Sequence, residues 1–201
     1  MPLSNYARDN YIAQGFSKLT ECHLQKVASL LIDCRFWAVT FTLTDIFTTP
    51  VDPDKRALAF AIIRRAEGAV DDFDNAAEAL DAFVKAADKS SSLYFRVLRK
   101  LHNVVAQTYQ ALECGRKATG TKHHEGGDGS RNDRLREVYN TYRHGDPQTV
   151  PAGNAQVDWL SNEGLHVEDG KTRAFIGFAE LREAVLELGH LADVISKGKL
   201  P

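Results

Sequence analysis

The stretch that decides the fold is residues 53–88, which reads PDKRALAFAIIRRAEGAVDDFDNAAEALDAFVKAAD. Pro53 suits the first turn of a helix after Asp52, because the missing N–H of a proline there has no intrahelical partner to lose. A break is expected at Gly68 and the acidic run at 71–74, which lower helix propensity without ending the pattern. The segment therefore predicts one long helix or two collinear ones. Its apolar residues alternate in steps of three and four, as one helix face requires: Leu58, Ile62, Ala66, Ala69, Phe73, Ala77, Leu80, Val84 and Ala87.

One further helix is predicted on each side of this segment. Residues 19–47 predict a long buried helix that stops before Pro50. After the central segment, the hydroxyls of Ser90, Ser91 and Ser92 can cap a helix that runs to about Cys114. The apolar stripe of the 19–47 helix uses the same spacing: Leu24, Val27, Leu31, Cys34, Ala38 and Phe41.

The second half of the chain alternates irregular and helical segments. Glycines predict a flexible loop at 115–130, and a shorter helix follows at 131–143, capped by Asn132 or Asp133. Residues 151–173 resemble a small hairpin or an extended flap, and residues 178–196 carry the stripe of a last helix.

These elements predict one all-α domain over residues 1–201. It is a bundle of four to five helices with a small loop or β-hairpin insertion before the last helix. Residues 1–15 are expected to form an N-terminal arm, because they are polar with isolated aromatic residues.

Composition excludes several classes of protein. Apolar residues make up 43% of the 201 positions and charged residues 26%, which is ordinary for a globular protein and argues against long-range disorder. A net charge of -2 excludes a generally basic protein that coats nucleic acid. Three cysteines without Cys-x-x-Cys spacing indicate neither a disulfide framework nor a cysteine-rich zinc site. No signal-peptide pattern and no long apolar run are present, so we expect a cytoplasmic protein without membrane association.

The sequence gives little support to metal or cofactor chemistry. No phosphate-cradling loop, dinucleotide fingerprint or nucleophile elbow is present, and no cofactor is predicted. Two weak metal hypotheses remain: His123 and His124 in the glycine-rich loop, and the pair Glu187 and His190 on the last helix. A di-iron bundle needs a Glu-x-x-His on each of two helices and two further glutamates on facing helices, whereas the other Glu-x-x-His of the chain, Glu163 to His166, lies in the predicted hairpin, so no residue is assigned as a metal ligand.

Polar function concentrates in residues 131–145, which read RNDRLREVYNTYRHG. On a helix, Asn140 and His144 share a face, and Arg136 lies one turn before Asn140. His144 suits a general acid or base near neutral pH, Asn140 can orient it, and Arg136 and Arg143 are candidate phosphate contacts. The equally simple interpretation is a solvated helix whose Asn140 and His144 cap its last turn.

Charge in the surrounding segment favours a phosphate-bearing partner. Residues 116–144 hold seven lysines and arginines against four acids, so the rest of the chain is net acidic. A locally basic helix and loop on an acidic body is what RNA would favour.

The run from Tyr139 to Gly145, YNTYRHG, resembles the Arg-Asn-x-x-x-His signature of the HEPN superfamily. These are small helical bundles of prokaryotic defence and toxin–antitoxin systems. The resemblance implies a dimer in which paired histidines and arginines cleave RNA without metal. It covers Asn140 and His144 only. Tyr139 stands at the arginine position, and a phenol does not neutralise phosphate charge as a guanidinium does.

Three functional hypotheses follow. The first is a HEPN-like homodimer that binds RNA and has weak or lost ribonuclease activity. The second is a non-catalytic interaction or adaptor bundle that binds a partner protein. The third is a bundle that binds a metal or a small ligand.

Overall fold

The computed structural model describes residues 4, 6, 9, 15–47, 52–86, 89–122, 124–144, 157–169 and 172–198, with only the backbone at 45–47, 144 and 157. Five helices and one three-stranded sheet make up most of this part of the chain. In order they are α1 (Trp37–Phe47), α2 (Pro53–Lys85), α3 (Ser91–Thr119), α4 (Arg131–His144), β1 (Val157–Leu160), β2 (Gly164–Glu168), β3 (Arg173–Gly177) and α5 (Phe178–Ser196).

Helix α2 begins as the sequence predicts and continues without a break. The carboxylate of Asp52 accepts hydrogen bonds from the backbone N–H groups of Asp54 and Lys55, at 2.8 and 3.3 Å. The acidic run stays helical, and two of its carboxylates have tertiary partners, Asp72 in an ion pair and Asp74 in hydrogen bonds to backbone N–H groups. The Lys100 ammonium lies 2.6 Å from Asp72.

The prediction of one long helix over 19–47 is wrong. The chain there forms a short 3₁₀ turn at Ala28–Leu30 and becomes α-helical only at Trp37. Asp33 has a φ of 59°, a left-handed conformation that interrupts a right-handed helix. Asp74 on α2 accepts the backbone N–H of Val27 at 2.7 Å and so holds the irregular chain. The apolar residues of this segment still pack in the core, although the chain before Trp37 is not α-helical.

Helix α3 extends beyond the predicted end at Cys114. Gly115 is buried within the helix, and the left-handed cap is Gly120, with a φ of 72° and its N–H bonded to the Arg116 carbonyl at 2.8 Å. The predicted loop at 115–130 is therefore shortened to 120–130. Ser130 caps α4 in place of Asn132 or Asp133, because its Oγ accepts the Asp133 N–H at 3.2 Å.

The sheet lies between α4 and α5 and is larger than the predicted hairpin. The three strands pair antiparallel in the order β1-β2-β3, with His166 opposite both Trp159 and Phe175. The chain is therefore mostly helical, and the all-α assignment is not exact.

The core runs through the whole described part of the chain. Helix α5 has the predicted limits and buries nine residues against α1, α2, α3 and the sheet. Gly189 of α5 lets Leu31 and Trp37 approach, since a Cβ there would meet Leu31 Cδ1 at 2.6 Å. The predicted arm at 1–15 lies mostly outside the described residues. Among those described, no helix has the length and apolar character needed to cross a bilayer.

Candidate functional site

The predicted catalytic pair lies in the last two turns of α4. Asn140 is half-buried, and His144 is the final residue of the helix four positions later. Helical geometry therefore places the two residues on one face, as the sequence predicts. The His144 side chain lies outside the described part, so its role stays a prediction.

Tyr139, at the arginine position of the HEPN signature, is a buried structural residue. Only 6% of it is exposed, and its ring packs 4.7 Å from that of Tyr109 on α3. Its hydroxyl accepts hydrogen bonds from Gln110 Nε2 at 3.1 Å and from Arg143 Nη1 at 2.7 Å. The amide oxygen of Gln110 accepts in turn from Arg65 on α2. Tyr139 thus joins three helices through polar contacts.

The two predicted phosphate contacts have different surroundings. Arg143 is exposed, and its guanidinium carbon lies 5.7 Å from the centroid of the Tyr139 ring. Arg136 lies against Gly126 in the preceding loop and pairs with Asp133 at 2.7 Å. The structure therefore places Arg143 beside Tyr139, whereas Arg136 contacts the loop that precedes α4.

Most basic side chains of residues 116–144 are paired with carboxylates, three with one that is three residues away and two with one on α5. Arg131 reaches Glu187 on α5 at 3.0 Å, and Arg134 pairs with Glu180 at the start of α5. Among the described residues, only two of the seven basic side chains have no carboxylate partner, Lys117 and Arg143. The other five are paired: Arg116, Lys122, Arg131, Arg134 and Arg136.

A second polar cluster, which the sequence analysis did not identify, lies where α3 meets α4 and β1. The ring of His102 is 6% exposed and stacks on that of Tyr142 with centroids 3.9 Å apart. Its Nε2 lies 3.3 Å from Asp158 Oδ2 on β1. Burial lowers the pKa of His102 to about 4, so the imidazole is neutral at physiological pH. No local motif marks this cluster, because its members come from three separate elements.

Helix α3 presents arginines and an aromatic ring next to this cluster. Phe95 is 51% exposed, and Arg96 and Arg99 are exposed beside it around an open cleft of about 430 Å³. Phe95, Arg99 and His102 follow helical spacing, so the row continues to Tyr142, which covers His102 and is 41% exposed. Neither arginine pairs with a carboxylate of the described residues. We call Phe95, Arg96, Arg99 and Tyr142 the arginine–aromatic face.

A separate apolar surface surrounds α1. Its large hydrophobic side chains are exposed by 40–78%, although single exposed residues of this kind are scattered on most proteins. Phe60 stacks on the buried Phe41 with ring centroids 6.1 Å apart, which ties α2 to this surface. We call it the α1 apolar face, formed by Ile32, Phe36, Val39, Leu43 and Phe60.

Residues suited to metal binding or nucleophilic chemistry have other partners here. Glu187, the carboxylate of the predicted Glu-x-x-His pair, binds Arg131. No cluster of three or more potential ligands occurs within the described residues, and His123 lies outside them. Burial raises the pKa of Cys22 to about 11, so its thiol is protonated at neutral pH and a poor nucleophile.

Comparison of the chain with protein families, with curated proteins and with solved structures finds no match in any of the three.

Proposed function

We propose that this protein binds single-stranded RNA on the arginine–aromatic face and does not cleave it. The observation that carries the proposal is the row of Phe95, Arg99 and Tyr142, with Arg96 beside it. Guanidinium groups contact phosphates and exposed rings stack on bases, which is the usual combination for single-stranded nucleic acid.

Charge supports this location over the rest of the basic segment. Most of the cations at 116–144 already bind carboxylates, so contact with phosphate would first have to break those pairs. Arg96 and Arg99 have no such competitor among the described carboxylates.

The buried Tyr139 is the reason for proposing binding without cleavage. The HEPN-like hypothesis requires a cation beside His144 to stabilise charge on the phosphate. Tyr139 has no charge to offer, and its hydroxyl is occupied by Gln110 and Arg143. Arg143 is the described cation nearest in sequence to His144, and its guanidinium contacts Tyr139.

Binding is tested by fluorescence anisotropy with a labelled single-stranded RNA of about ten nucleotides, within the range that one small domain covers. We expect the double variant Arg96→Gln/Arg99→Gln to weaken binding about tenfold at low salt. The slope of the logarithm of the binding constant against the logarithm of the salt concentration should become shallower by about 0.7 for each lost phosphate contact. Tyr142→Ala should weaken binding, whereas Tyr142→Phe should retain it, because stacking needs the ring and not the hydroxyl.

Arg64→Gln is the matched control for charge. Arg64 is an exposed arginine of α2 that pairs with Glu67, outside the arginine–aromatic face. Equal losses in Arg64→Gln and in the single variant Arg99→Gln, each of which removes one positive charge, would contradict the proposal, since they would show that net charge alone decides affinity. Absence of binding by the wild type at low salt would also contradict it.

The absence of cleavage is tested separately with labelled structured RNA in EDTA. We expect the wild type and His144→Ala to leave the RNA equally intact. Cleavage that disappears only in His144→Ala would show a metal-independent ribonuclease and would overturn this part of the proposal.

We propose self-association through the α1 apolar face as a second candidate function. If each of its five side chains has about 150–200 Å² of surface, roughly 500 Å² is open per copy, and two copies would bury about 1,000 Å², the lower limit for a specific interface. Phe36, Val39 and Leu43 follow helical spacing, so the face is a stripe that can pair with its own copy.

The oligomeric state tests this candidate. We expect a dimer by sedimentation velocity, and a monomer for Phe36→Ser/Leu43→Ser. Phe95→Ser, at a phenylalanine of similar exposure on α3, is the control and should remain dimeric. A monomeric wild type would refute self-association.

A further inference from the structure

A cavity of about 230 Å³ lies where α3, α4 and α5 meet. Small residues create the space, because Ala111 and Gly115 on α3 and Ala184 on α5 are buried and leave no side chain to fill it. Leu112, Leu188 and Leu191 supply apolar walls. An apolar cavity of about 150 Å³ already holds a benzene molecule, so this one has room for a ring with a small substituent.

Two polar groups of the lining lack hydrogen-bond partners within the described structure. Thr108 is 1% exposed, and its hydroxyl bonds to no described group. The Nε–H of Arg131 is also buried and unpaired, although the two terminal nitrogens of its guanidinium bind Glu187. A buried donor without a partner costs stability, and a ligand oxygen would relieve that cost.

Charge at the mouth of the cavity decides the ligand class. Arg131 faces two carboxylates, Glu187 at 3.0 Å and Glu183 at 3.8 Å. One cation against two anions leaves a net negative charge, which disfavours an anionic ligand. The unpaired hydroxyl and N–H favour a neutral group that accepts hydrogen bonds.

We propose that this cavity is a binding site for a small neutral molecule with an apolar ring or short chain and one hydroxyl or carbonyl oxygen. The apolar part packs against the three leucines, and the oxygen bonds to the Thr108 hydroxyl. The site does not use the arginine–aromatic face, so it is independent of the proposed RNA binding.

Four probes with the same ring separate the contributions of the apolar ring, the hydroxyl and the charge to binding: toluene, benzyl alcohol, benzoate and benzylammonium. Binding of each is measured by ligand-observed NMR with the full chain. We expect benzyl alcohol to bind most tightly and benzoate most weakly. Thr108→Val, which keeps the shape and removes the hydroxyl, should weaken benzyl alcohol about three- to tenfold and leave toluene unchanged.

Ala184→Leu places a larger side chain in the cavity and should abolish binding of all four probes, with circular dichroism and urea denaturation confirming that the variant is folded. If it does not fold, Thr108→Val alone decides. The proposal is overturned if the wild type binds none of the probes, or if benzoate binds most tightly. It is also overturned if Thr108→Val loses toluene and benzyl alcohol equally, or if folded Ala184→Leu binds the probes unchanged.

Discussion

Acidification should destabilise this protein through one buried histidine. His102 is packed under Tyr142 and beside Asp158, and burial lowers its pKa from 6.5 to about 4. The unfolded chain therefore binds a proton more readily than the folded chain does. The stability that comes from a neutral His102 is complete above pH 6.5 and is lost as the pH falls from 6.5 towards 4.

The size of the effect follows from those two pKa values. Between pH 7.5 and pH 5 the unfolded state gains a proton at this position while the folded state remains mostly neutral. Linkage gives a loss of about 2 kcal/mol in the free energy of unfolding, from about 1.4 kcal/mol per pKa unit. For a domain of this size, that is a substantial fraction of total stability.

Urea denaturation at several pH values between 5 and 7.5, followed by circular dichroism, measures the loss. His166 also has a pKa lowered by burial and by Arg173, so it adds to the pH dependence of the wild type. The decisive quantity is therefore the difference from His102→Gln, which does not titrate in this range. We expect the variant to lose about 2 kcal/mol less than the wild type between pH 7.5 and pH 5.

An equal loss in wild type and variant would refute the reasoning. It would show that the Asp158 carboxylate, 3.3 Å away, stabilises a protonated His102 as much as burial disfavours it. An NMR titration of the His102 ring identifies that case directly, because its pKa would then lie near 6.5.

Three further changes have outcomes fixed by local geometry, and urea denaturation at pH 7.5 measures each. Gly164→Ala should cost about 2 kcal/mol or more, because its Cβ would collide with the backbone carbonyl of Ile176. Gly68→Ala is the contrasting case and should stay within about 1 kcal/mol of wild type, since its Cβ meets only the movable amide of Gln107, at 3.0 Å, and alanine favours the helix. Asp52→Ala should cost about 1 kcal/mol by removing the N-cap of α2. A Gly68→Ala variant as unstable as Gly164→Ala, or an unchanged Asp52→Ala, would contradict these assignments.

The sequence predicts helices well where local signals agree with tertiary packing. Helix α2 has a long apolar stripe and begins at the Asp52 cap, and α5 has an apolar stripe and begins directly after the last strand. Both helices therefore have nearly the predicted limits. Residues 19–36 carry an equally regular stripe and are not α-helical. Their conformation depends on Asp33 and on a carboxylate of α2 that holds the backbone, and a periodicity argument includes neither.

What the sequence predicts about the candidate site is the helical placement of its residues. Helical spacing is a local property, so the placement of Asn140 and His144 on one face of α4 follows from the sequence. The partners of Arg131, Arg134 and His102 are not local. Arg131 binds a glutamate 56 positions away, and His102 meets an aspartate on a strand. The count of basic residues at 116–144 therefore overstates the positive charge available to a ligand.

Tyr139 shows why a motif in which one residue differs has to be interpreted together with the structure around that residue. If it were exposed, Tyr139→Arg would be expected to restore the HEPN-like signature and with it a phosphate contact. At a position that is 6% exposed and already in contact with Arg143, a second guanidinium would be buried beside a like charge and would lose the hydrogen bond to Gln110. The surrounding residues are thus adapted to tyrosine. The proposed RNA contact therefore uses the exposed arginines of α3, where no such reorganisation is needed.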